Sequence, residues 1–225
     1  GGAGKTSIVD HYTDWQGQAR QFYPSYTADP QLQIYLGSNL WVQELPPSLL
    51  HDTSSEARSA LKFLWAPLFR YRPPHVVVTL DISTLANENP DTLRQVAQMA
   101  RGKINILSRI VDESVRVTVA LTHMDRIKGF DAFSKFLNAN NIPLELPVAS
   151  DNASVKKCLE NYEEWLGLAL TTLSTDEYLQ ILGFMRHIPD KLEIVDTFMR
   201  ILRNPDPMSY EPNILRVCLC SQTPG

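Results

Sequence analysis

The stretch Gly1-Gly2-Ala3-Gly4-Lys5-Thr6-Ser7 decides which fold the rest of the chain must make. In the pattern G-x-x-x-x-G-K-[ST], a glycine-rich turn aims consecutive backbone N–H groups at phosphate oxygens. The lysine ammonium reaches the terminal phosphates, and the hydroxyl after it ligates Mg²⁺. Gly4, Lys5 and Thr6 fill the last three positions of that pattern, and Ile8-Val9 begin an apolar run suited to the helix that follows such a loop. Gly1, Gly2, Ala3, Gly4, Lys5, Thr6 and Ser7 are therefore the candidate phosphate contacts, and Thr6 is a candidate magnesium ligand. The cofactor expected is GTP or ATP with magnesium. The motif's first glycine falls before Gly1, as does the strand that feeds the loop, so a piece of a longer protein is expected. A bare Gly-Lys-Thr also occurs in ordinary helix starts, and the order of elements downstream favours the phosphate loop.

Working outward, residues 7–12 read as a short helix. Residues 31–36 alternate polar and apolar through Leu32, Ile34 and Leu36, the signature of a half-buried strand. Gly37-Ser38-Asn39 makes a turn and Leu40-Trp41-Val42 begins a second strand, so a hairpin is expected, stopped by Pro46-Pro47. Residues 52–69 place Leu61, Leu64 and Leu68 on one helical stripe, with Asp52, Thr53 or Ser54 as cap. The apolar, β-branched run 76–82 predicts a central parallel strand buried on both faces. A long amphipathic helix over 90–111 and a buried strand over 116–121 follow, then a helix over 130–137 and an extended segment over 143–148. Residues 155–203 read as almost continuous helix broken near Gly183 and Pro189, and 214–219 as a last strand. The class is α/β, a mostly parallel sheet with helices on both faces. The expected divisions are a core over 1–150, a helical extension over 151–212, and a returning strand with a terminal loop over 213–225.

With 225 residues, 44% of them hydrophobic, the chain can bury a sizeable core. A net charge of −4 without a basic stripe interleaved with aromatics disfavours nucleic acid as partner. No apolar run approaches the length that spans a bilayer. Three cysteines suggest a reducing compartment. Cys218 and Cys220 sit two apart, on one face of a strand, and read as buried thiols since no second pair or histidine accompanies them.

Two clusters beyond the loop carry chemistry. Thr122-His123-Met124-Asp125 ends a buried strand, where GTP-binding folds place [N/T]-K-x-D: the aspartate accepts two hydrogen bonds from guanine and the lysine stem covers the base. Thr122 and Asp125 fit as base contacts, His123 replaces the lysine, and the bland alternative is an aspartate capping a loop. Glu44, at the end of the second hairpin strand, stands where an acid would hold Mg²⁺ through water, and is the candidate metal-binding and catalytic carboxylate. Leu45-Pro46-Pro47 follow it, and proline has no N–H to donate to a γ-phosphate, which argues against efficient hydrolysis. Thr27 is the remaining candidate magnesium ligand, against a generic loop threonine. His11, His51, His75 and His187 show no ligand spacing.

Taken in order, these blocks resemble the IcmF/TssM family, inner-membrane components of Dot/Icm type IV and type VI secretion systems. The start resembles the family's G-A-G-K-T-[ST]. Val119-Ala120-Leu121-Thr122-His123-Met124-Asp125, then Lys128-Gly129-Phe130 and Phe133, resembles V-x-x-T-K-x-D-x-x-x-G-F-x-x-F. Phe184, Pro189, Leu192, Phe198 and Leu202 resemble the helix before the last strand, and the run from Leu215-Arg216 to Gln222-Thr223-Pro224-Gly225 resembles the ending L-R-G-x-Y-F-T-S…Q-x-G. The family's D-T-A-G-R-Y would fall on Glu44-Leu45-Pro46-Pro47-Ser48-Leu49, matching only in the acidity of its first residue. Val217 also stands in place of the usual glycine. The resemblance implies a Ras-like P-loop fold with a helical extension and a membrane-anchored parent at the cytoplasmic face of the inner membrane. It also implies a DotU/TssL-type partner, and the divergent motifs favour the Dot/Icm kind. Three readings follow: a nucleotide-binding scaffold with slow or absent hydrolysis, an active NTPase powering conformational change, and an interaction module with a relic loop.

Overall fold

The computed structural model describes residues 21–22, 33–36, 41–85, 89–148, 154–160, 162–204 and 208–221. The first described elements are strands: β1 (Gln21–Phe22), β2 (Gln33–Leu36) and β3 (Trp41–Glu44) form an antiparallel sheet in that order. Ile34 lies opposite Gln43 and Tyr35 opposite Val42, which is the expected hairpin. A short helix α1 (Pro47–His51), which the sequence reading did not anticipate, starts at once behind Pro46. Helix α2 (Ser55–Phe69) follows, and of its three candidate caps Ser54 serves, its Oγ accepting from the Ala57 N–H at 3.1 Å. Helix α2 lies over β3: Trp65 Nε1 donates to Gln43 Oε1 at 2.8 Å, and Phe69 stacks on Trp41 with ring centroids 5.2 Å apart.

The second sheet contains β4 (His75–Asp81), β5 (Arg116–Thr122), β6 (Glu145–Pro147) and β7 (Asn213–Leu219), in the order β4-β5-β7-β6. The β4–β5 and β5–β7 pairings are parallel, whereas β6 runs antiparallel to β7, so the sheet is mixed. Its connections are helical. Helices α3 (Ile82–Leu85) and α4 (Pro90–Val111) join β4 to β5. A 3-10 turn (Met124–Arg126) and α5 (Phe130–Ala139) lead from β5 to β6. Helices α6 (Val155–Glu160), α7 (Glu163–Thr172) and α8 (Thr175–Arg203) return the chain to β7.

Two expectations are corrected. The strand over 76–82 was expected to be central and buried on both faces, but β4 is an edge strand among the described residues, and Val77 is 51% exposed. The strand buried on both faces is β5, which has β4 on one side and β7 on the other; every residue from Val117 to Thr122 is buried. The expected helix breaks at Gly183 and Pro189 do not occur. Helix α8 runs through both, and the chain is interrupted earlier, where Leu173 ends α7 and Ser174 caps α8. Ser174 Oγ takes the Glu177 N–H while Glu177 reaches back to the Ser174 N–H, a capping box. Pro189 removes one amide donor. The inward stripe of Phe184, Ile188, Leu192 and Val195 holds the helix across it, since burying each such side chain is worth roughly 1.5–3 kcal/mol.

The core lies between the sheet and helices α4, α5 and α8. Phe133 and Phe184 approach with ring centroids 4.8 Å apart, Phe130 meets Phe184 at 5.6 Å, and Tyr162 puts its edge to Phe133. Buried Arg101 on α4 ties the end of α8 to the segment leading into β7, donating to the carbonyls of Leu202 at 2.7 Å and Tyr210 at 3.3 Å.

Candidate functional site

Parallel strands deliver their carboxyl ends to one edge of a sheet, the edge where open α/β folds bind ligands. Asp81 ends β4 and Thr122 ends β5, paired in register. Thr122 Oγ1 donates to the Leu80 carbonyl at 3.2 Å, which ties the two strand ends together. The chain then turns sharply, and His123 takes the left-handed conformation (φ 59°), a region that histidine enters more readily than most residues. Its ring faces inward: Nδ1 lies 3.2 Å from Asp81 Oδ2 and 3.3 Å from Thr122 Oγ1, and the side chain is only 4% exposed. The last strand clamps the turn from the other side, because Cys220 N–H donates to Leu121 and Met124 N–H donates to Cys220. Asp125, half-buried, sits in the 3-10 turn that results.

The structure therefore brings Thr122, His123 and Asp125 to the edge where the sequence placed them and adds Asp81, which the sequence reading missed. An acid ending an apolar run was its only signal. The His123 ring is engaged with Asp81. Glu44 closes β3 in the three-stranded sheet, and α1 begins three residues later with Pro46 as cap and Pro47 in its first turn. Neither proline has an N–H to offer. Gly1, Gly2, Ala3, Gly4, Lys5, Thr6, Ser7 and Thr27 lie outside the described residues.

The cysteines behave as structural thiols. Burial, with Cys220 and Glu145 nearby, pushes the Cys218 thiol up to about 12, and burial pushes Cys220 up to about 11. Both stay protonated at neutral pH and are poor nucleophiles and poor metal ligands. Among the described residues no group of three His, Cys, Asp or Glu side chains could hold a metal ion, and no helix is long and apolar enough to cross a membrane.

Residues 55–145, from the start of α2 into β6, match the family model described as the IcmF-related N-terminal domain. Over this stretch the chain is similar to the IcmF-related family. The relationship bears out the resemblance drawn from the ordered motifs and points to a component of a secretion system. The matched residues include Asp81, Thr122, His123, Asp125 and the Gly129-Phe130 pair, while Glu44 and the returning strand β7 lie outside them. No curated protein and no solved structure matches the chain.

Proposed function

We propose that this IcmF-related chain is a nucleotide-binding scaffold domain of a bacterial secretion-system inner-membrane protein, acting at the cytoplasmic face and bracing the membrane complex beside a DotU/TssL-type partner. In this reading a P-loop at residues 2–6 binds GTP or ATP with Mg²⁺, Lys5 holds the terminal phosphates and Thr6 the metal. Hydrolysis is slow or absent. The observation that carries this scaffold reading is the β3–α1 junction: after Glu44 the chain passes through Pro46 and Pro47 directly into a helix, so no backbone donor at those positions can follow a γ-phosphate. Asp125 is the base contact in this scheme, and selectivity for guanine is weak because His123 is turned onto Asp81.

Titration calorimetry with GTP, GDP and ATP in Mg²⁺ tests the proposal. Micromolar binding is expected, with Lys5→Ala losing ~1.5–3 kcal/mol, the value of a charge-assisted phosphate contact. Pro47→Gly should leave turnover at its basal level. The His123–Asp81 pair favours one competing reading, an interaction module with a relic loop. Folded protein that binds no nucleotide would establish that reading in place of the proposal.

A further inference from the structure

Two segments of this chain carry charge mostly of one sign. Helix α2 carries one acid, Glu56, in its first turn, and from there to residue 80 the charged side chains are Arg58, Lys62, Arg70 and Arg72. From residue 158 to residue 185 they are Glu160, Glu163, Glu164, Asp176 and Glu177, with no Lys or Arg. Each segment also exposes apolar surface. On α2, Phe63 lies two residues, about 200° around the helix, from both buried Leu61 and buried Trp65. It therefore points directly away from the core and is 86% exposed, as is Tyr71 just past the helix end. On α7, the apolar run from Trp165 to Leu170 buries only Ala169, and Leu170 is 60% exposed. Leu179 on the first turns of α8 is 57% exposed as well. Apolar patches of this kind, rimmed by charge, mark sites of association.

We propose that these are the two halves of one interface, formed head to tail between copies of this chain, with the basic aromatic face of α2 seated on the acidic apolar face of α7 and the start of α8. A two-fold contact of α2 with α2 would set Lys62 and Arg70 against their own kind, and α7 with α7 would set Glu163 and Glu164 against theirs. Pairing of the unlike faces covers both apolar patches and matches opposite charges. Repeated head to tail, such a contact extends into a ring or a filament rather than stopping at a dimer. None of these residues belongs to the candidate nucleotide site, so the proposal stands or falls apart from the functional reading above.

Sedimentation velocity on the 225-residue chain across a range of concentrations tests it. Assemblies that grow past the dimer as concentration rises are expected. The double variant Lys62→Glu/Arg70→Glu and the double variant Glu163→Lys/Glu164→Lys should each associate roughly tenfold or more weakly. All four positions are exposed, and unchanged circular dichroism and melting would show both variants folded. Mixing the two variants should restore assembly, because each reversed face now meets its complement. Phe63→Ser should weaken association without altering charge. Wild-type protein that remains monomeric throughout, or assembly that both reversals leave intact, would overturn the pairing. So would a monomer that instead binds vesicles of anionic phospholipid through Lys62 and Arg70.

Discussion

Gly129 shows how one residue can hold two elements in contact. Its φ of +88° lies in the region that favours glycine, and it begins α5 where that helix abuts α8. A Cβ at this position would sit 2.2 Å from the Gln180 carbonyl oxygen and 3.1 Å from the Phe184 Cβ. The obstruction is backbone, which cannot rotate away. Gly129→Ala is therefore expected to cost about 3 kcal/mol or more, combining left-handed strain with displacement of α8. Urea unfolding measures it, and a loss under 1 kcal/mol would mean that the two helices separate easily. The glycine preceding Phe130 in the sequence motif thus has a packing reason independent of any ligand.

At the scale of elements, α6 is too short to stand on its own propensity and is anchored from α8. Asp196 Oδ1 accepts the Val155 N–H at 2.7 Å, and Oδ2 accepts from the Ser154 hydroxyl. A carboxylate thereby satisfies a first-turn donor that a helix start leaves open. Asp196→Ala should cost roughly 1.5–3 kcal/mol, and amide exchange should quicken over residues 155–160 before the rest of the protein responds. Asp196→Asn keeps one acceptor oxygen and should lose less. Equal exchange in all three proteins would show that packing of Val155 and Leu159 alone secures the helix.

At the scale of the whole molecule, the amino-terminal end of the larger sheet is expected to make folding sensitive to pH through His75, a partly exposed residue. His75 on β4 lies opposite Arg116 on β5, and its Nε2 is 2.8 Å from Thr118 Oγ1. Burial, with Arg116 and then Arg216 nearby, holds its pKa below the ordinary 6.5. Between the folded and unfolded values the unfolded chain binds more protons, so stability rises with pH across that window. His75 thus contributes stability that is fully present above pH 6.5 and is lost as pH falls through the lowered value. The unfolding midpoint in urea should fall between pH 7 and pH 5, and His75→Gln should flatten that part of the profile. A wild-type profile as flat as the variant's would remove His75 as a contributor.

What the sequence determined by itself was the kind and order of the elements over most of the described chain. Period-3.6 apolar spacing marked α4, the unbroken apolar run marked β5, and the paired prolines marked the end of β3, because each signal is written in neighbouring residues. The position of Thr122 and Asp125 at a strand end was legible for the same reason, as polar residues directly after an apolar run. The tertiary structure alone decided that β4 lies at an edge, that β6 runs antiparallel, that α8 passes through Pro189, and that His123 turns onto Asp81. Each of these depends on groups far apart in the chain. A strand's burial is set by what lies beside it, and a helix survives a proline when its inward stripe is covered. A histidine ring turns to whichever acid the neighbouring strand brings within reach.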